Sequence, residues 1–177
     1  VTKDMLSLAQ ARANSARIDS HNYTPPTPKM LGVKVFKKYN LAEIAEYIDN
    51  LPAQKRKDML SLHETILLLL PGCKVWFFDG KDNSGKVISN PNIGYGTRTI
   101  NYADGNKKEF YQIGISGNST GISVYVIGLE DKNYLKETIG KKIGKASVTA
   151  YCIKFKTIAD INMNVLSKVI IEGSNYI

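Results

Sequence analysis

The chain has little of what metal, redox and membrane-spanning chemistry usually rest on. It holds two cysteines, two histidines and one tryptophan among 177 residues. His21 and His63 are too few and too far apart for an imidazole metal centre. Cys73 and Cys152 have no motif spacing, which points to reduced, part-buried thiols in a cytoplasmic protein rather than a disulfide framework. No apolar run approaches the roughly 20 residues that span a bilayer. The longest, "ILLLLPG", is cut by Pro71 and Gly72, so no membrane association is expected. No charged-then-apolar leader is visible, and a secretory signal is not expected. The chain starts at Val1 rather than Met, and an upstream part is an expectation.

What is present fits a globular domain with an extension. The apolar fraction is 43% and the length can bury a core. The net charge is +8, and a basic balance favours anionic partners. The charge is spread along the chain, with one concentration between Lys132 and Lys156, where seven lysines meet one acid, Glu137.

Residues 4–17 have helical composition, and "SHNYTPPTPK" then breaks any helix. Three prolines between Pro25 and Pro28 make Ser20–Pro28 a linker or a strap. "LGVKVFKKY", with Val33 and Val35 alternating, predicts a short strand. Asn40 with Glu43 predicts a capping box, followed by a helix with Ile44 and Ile48 on its face. Pro52 suits the first turn of a second helix, which carries Met59, Leu62, Ile66, Leu69 and Leu70 as far as Pro71-Gly72.

After Gly72 the hydrophobic period changes from 3.6 to 2. "VWFFD", "NIGYG" and "RTINY" predict strands, and "ADGN" predicts a hairpin turn. "FYQIGIS" and "GISVYVI" around "SGNST" predict a second hairpin. "DKNYLKETI" predicts a short helix ended by Gly140, and "SVTAYCIKF" a last strand. Asp160 is the expected cap of a final helix stopped by Gly173. The expected class is α+β, one antiparallel sheet with helices on one face.

Two resemblances meet in "EYIDNLPAQ", Glu46 to Gln54. Leftward, "ARAN", "NYTPP.PK.LGVKVF" and "YID", over about residues 9–49, resemble the start of the reactivation domain of cobalamin-dependent methionine synthase. Rightward, "EYIDNLPAQKRKDMLSLHETILLLLPG", "IGYG", "GISVYV", "IGKASV", "IKF" and "ADINMNVLSKVI", over roughly residues 40–173, resemble the YdhG-like family of unknown function, which is distantly frataxin-like. The expected organisation is an extension with a Pro-rich strap at 1–39 and a YdhG-like α+β domain at 40–177. The synthase resemblance implies S-adenosylmethionine, and the acid of its "YID" motif matches Asp49. The Arg-rich, Pro-Gly-Tyr segment that completes that site, and the Asp-x-His-x-x-Gly loop of the cobalamin module, are absent. The frataxin resemblance implies iron handled by clustered acids. Here Glu43, Glu46, Asp49, Asp58 and Glu64 are interspersed with Lys55, Arg56 and Lys57.

"GKKIGKAS" imitates a phosphate loop but departs from it: Gly140 and Gly144 enclose three residues, and Ala146 holds the magnesium-ligand position. The expected order, helix then loop then strand, also points no helix N-terminus at a phosphate. A solvated basic loop is one reading. An anion site of Lys141, Lys142, Lys145 and Ser147 is the other. Ser116 in "GISGN" imitates a nucleophile elbow with Asn118 in place of the last glycine, and a hairpin is the wrong context. The tyrosines and Trp76 can stack on bases, although Tyr95, Tyr102, Tyr111 and Tyr125 fall in strands where packing is the default. The expectation is therefore a cofactor-free binding domain without catalytic residues or a metal site. It is expected to bind anions or nucleic acid weakly and without specificity at most. A homo-oligomer stays open. The alternatives are an accessory or degenerate methionine-synthase protein meeting S-adenosylmethionine, and a frataxin-like iron-handling protein.

Overall fold

The computed structural model describes residues 41–131 and 133–174. The synthase-like extension, its strap, the strand near Val33 and the Asn40 cap lie outside the described residues. The fold is α+β. Two helices, α1 (Leu41–Asp49) and α2 (Ala53–Leu69), precede the strands β1 (Val75–Phe78), β2 (Asn92–Tyr95), β3 (Arg98–Asn101), β4 (Lys107–Phe110), β5 (Ile113–Asn118) and β6 (Gly121–Val126). One π-helical turn, Leu135–Ile139, leads to β7 (Ser147–Val148) and β8 (Cys152–Phe155), and α3 (Met163–Gly173) follows. No helix among the described residues is long and apolar enough to cross a membrane.

The helix stops are local. Pro52 stands immediately before α2 with φ −53° and ψ 145°, a geometry its ring favours. Beyond α2, Gly72 turns the chain at φ +76°, which only glycine adopts without strain. Met59, Leu62, Ile66 and Leu70 recur at helical spacing and are buried to 1% exposure or less. Leu69, expected on the same stripe, is only half-buried.

Six strands form an antiparallel sheet in the order β1-β2-β5-β6-β8-β7, and β3 and β4 form a separate hairpin. A single sheet was the expectation. The chain leaves the main sheet at Gly96, whose φ is +74°, and the hairpin closes through the expected Asp104-Gly105 turn. The ladder resumes after Gln112, whose amide donates to the Tyr95 carbonyl at 3.0 Å.

Residues paired across a ladder share a face. One face carries the rows Tyr95–Ile113–Val126 and Ile93–Ile115–Val124–Ile153, all but fully buried in one core with Ile44, Ile48, Leu62, Ile66, Leu166 and Ile170 of the helices. Burying a side chain of this size contributes about 1.5–3 kcal/mol. The helices close on this face. A Cβ on Gly173 would collide with Val126, and one on Gly117 would press on Leu51.

The other face carries Trp76–Gly94–Gly114–Tyr125–Cys152 and, one step along, Ser116–Ser123–Lys154–Ser147. The Tyr111 ring lies over Gly94 and Gly114 on this side, stacked on Phe110 at 4.2 Å between ring centres. Lys74 sits 3.6 Å above the Trp76 ring and 3.0 Å from Glu109.

Three local expectations are corrected. "SVTAYCIKF" is two strands, because the Thr149 amide donates to the Cys152 carbonyl at 2.8 Å and its hydroxyl accepts from the Cys152 amide at 3.2 Å. The cap of α3 is Asn162, whose Oδ1 accepts from the amides of Asn164 and Val165, while Asp160 completes a capping box with Thr157 on the short 3-10 turn before it. "DKNYLKETI" is narrower than the expected helix, a five-residue π turn that ends at Gly140.

Candidate functional site

The β7–β8 hairpin brings together lysines that are far apart in sequence. Lys154 and Lys156 alternate outward on either side of buried Phe155. The loop entering β7 carries Lys145, fixed by its own amide donating to the Asp160 carbonyl at 2.8 Å. With Thr120 from the β5–β6 turn they line a groove of about 380 Å3. Gly121 holds that turn against the end of β8: its φ is +151°, and a Cβ there would strike the Phe155 carbonyl.

The charge of this groove is unbalanced. Its one carboxylate, Asp160, has Oδ2 accepting from the Thr157 amide at 3.2 Å and hydroxyl at 3.1 Å. None of Lys145, Lys154 and Lys156 has an ion pair among the described residues, where Lys74–Glu109 is the pair formed. Exposed ammonium groups without a carboxylate partner leave a positive field that favours phosphate or sulfate oxygens.

The predicted anion set is thus divided. Lys145 lines the groove, and Ser147 faces Lys154 across the β7–β8 ladder. Lys141 and Lys142 are exposed on the loop after the π turn and do not line it. Lys154 and Lys156 were missed as site residues. The signal that finds them is strand alternation through "CIKFK", which sets both on one face opposite Ile153 and Phe155.

Asp49, the S-adenosylmethionine candidate, ends α1 exposed to solvent. The acids expected in an iron reading are dispersed. Glu43 and Glu46 line a separate groove of about 570 Å3 with Asp79, Tyr47, Phe77 and Phe78. Asp58 is buried, and its Oδ2 accepts the Ile158 amide at 3.3 Å. Among the described residues no three His, Cys, Asp or Glu side chains gather into a metal-holding group.

The nucleophile candidates are tied elsewhere. Ser116 is buried and donates to the Pro91 carbonyl at 2.7 Å. His63 has Nδ1 2.6 Å from the Tyr95 hydroxyl, and burial pushes its pKa down to about 4. Both cysteines are free and part-buried, and burial pushes each thiol up, away from the reactive thiolate. No protein-family model and no solved structure matches the chain.

Proposed function

We propose that residues 40–177 are a YdhG-like, distantly frataxin-like binding module that holds a phosphate-rich polyanion and performs no chemistry on it. The observation that carries the reading is the convergence of Lys145, Lys154 and Lys156 on one groove without an ion pair among the described residues. Binding is weak because the lysines act as point charges, with no bidentate fork and no helix N-terminus in the groove among the described residues. Nothing among the described residues favours S-adenosylmethionine or iron over this reading, since Asp49 stands without the rest of its expected site and Asp58 is committed to Ile158.

Calorimetric titration of the full chain with inorganic polyphosphate at low salt tests it. The Lys145/Lys154/Lys156→Ala variant should lose about tenfold or more in affinity, and Lys141/Lys142→Ala should change it little. Equal losses in the two variants would reduce the groove to general basicity, and no binding by wild type would remove the reading.

A further inference from the structure

The lysine groove shares Lys154 with the sheet face opposite the one that the described helices pack on, and that face carries aromatic rings. Tyr125 pairs with Cys152 across β6 and β8, one outward step from the Ser123–Lys154 pair. Ser123, two residues earlier on β6, lies on the same face. Residues two apart on a strand are about 6.6 Å apart. Ser123 is only 3% exposed. Tyr125 itself stays partly open to solvent. Tyr151, in the β7–β8 turn, is 58% exposed, and its carbonyl accepts from the amide of Val126, the neighbour of Tyr125, at 2.8 Å. Tyr111, over Gly94 and Gly114 on the same face, is buried and is not part of that surface.

We propose that this face binds single-stranded nucleic acid, with bases stacked on Tyr125 and Tyr151 and the backbone phosphates held by Lys145, Lys154 and Lys156. The inference rests on the polyanion reading of the groove and narrows it to one partner. A lysine groove alone serves any polyanion. Exposed aromatic rings beside it add a contact that only a ligand with unstacked bases can use. A duplex keeps its bases stacked inside and offers the tyrosines nothing to pair with. Stacking on such rings is tolerant of sequence, because every base has a π face.

The experiment uses the full chain, fluorescently labelled twelve-nucleotide oligo-dT and oligo-U, the matching duplex, and inorganic polyphosphate as a competitor without bases. Tyr125→Ala and Tyr151→Ala should each weaken single-strand binding by about tenfold and leave polyphosphate affinity unchanged, while Tyr151→Phe keeps wild-type binding. The lysine triple variant should lose both ligands. Thermal melts of each variant check folding, and exposed Tyr151 keeps the test valid if Tyr125→Ala unfolds. The dT and U arms tell DNA from RNA. Tyrosine variants that leave oligonucleotide binding intact, that weaken both ligands equally, or a duplex bound as well as the single strand would each overturn the stacking inference while the polyanion reading stands. A wild type that binds neither polyphosphate nor oligonucleotide would overturn both.

Discussion

His63 Nδ1 lies 2.6 Å from the hydroxyl of Tyr95, a tyrosine with no exposed surface at the end of β2. The pair joins α2 to β2 through a polar contact inside an otherwise apolar core. Burial lowers the histidine to about 4, against an ordinary value near 6.5. Above about pH 6.5 the ring is neutral folded or unfolded, and the full stability is present. As pH falls toward 4 the unfolded chain takes up the proton first, and stability is lost. The loss by pH 4 should be on the order of 3 kcal/mol, and it levels off below. Urea denaturation between pH 7 and pH 4 measures it, with His63→Gln as the comparison. A variant with the same slope as wild type would assign the acid sensitivity to other groups.

The glycines under Tyr111 make a second, sharper test. A Cβ on Gly94 would stand 2.5 Å from the Tyr111 ring, and one on Gly114 would stand 2.6 Å from it. Neither glycine has a positive φ, so alanine is otherwise the better strand residue. Gly94→Ala should therefore destabilise by about 1–3 kcal/mol through overpacking. In a Tyr111→Ala background the same substitution should become neutral or mildly stabilising. A double-mutant cycle from chemical denaturation reads the coupling, and additive effects would show that the ring yields without cost.

These two contacts also mark the boundary of what the sequence discloses. The change of hydrophobic period after Gly72, the Asp104-Gly105 turn and the stop at Pro71-Gly72 are local signals, and they place α2, β1, β2 and the β3–β4 hairpin. Thr149-Ala150-Tyr151 contains neither glycine nor proline, so the break between β7 and β8 has no local signal. It comes from a threonine hydroxyl bonding to Cys152. Asp160 and Asn162 are equally good cap residues, and only the turn between β8 and α3 decides which faces the helix. Of the three groove lysines only Lys145 was legible, for a related reason: it meets Lys154 and Lys156 only once that unsignalled hairpin has formed.

Asp58 should prove structural rather than ligand-binding. Its Oδ1 accepts from Gln54 Nε2 at 3.0 Å and its Oδ2 from the Ile158 amide at 3.3 Å, joining α2 to the connection before α3. Asp58→Ala leaves that amide without its acceptor, and should cost about 2 kcal/mol. Urea unfolding measures this, and polyphosphate affinity should not move. A cost under about half a kcal/mol would mean that water replaces the carboxylate.

The salt dependence of binding counts the lysines that touch phosphate. If Lys145, Lys154 and Lys156 each neutralise one phosphate of a single strand, counterion release sets the slope of log affinity against log salt at about −0.7 per contact, or about −2 in all. Affinity should then fall about 20-fold between 50 and 200 mM salt. Replacing Lys154 alone should lower the magnitude of the slope by about 0.7, because its position on the sheet gives it a fixed role. Replacing Lys141 or Lys142 should leave the slope unchanged, since neither lines the groove. Tyr151→Ala should weaken binding at every salt concentration without altering the slope, because stacking releases no ions. Titrations at four salt concentrations separate these cases. A slope that falls equally for Lys141 and Lys154 would mean that the strand is held by the loop and groove together, as diffuse charge rather than as a site.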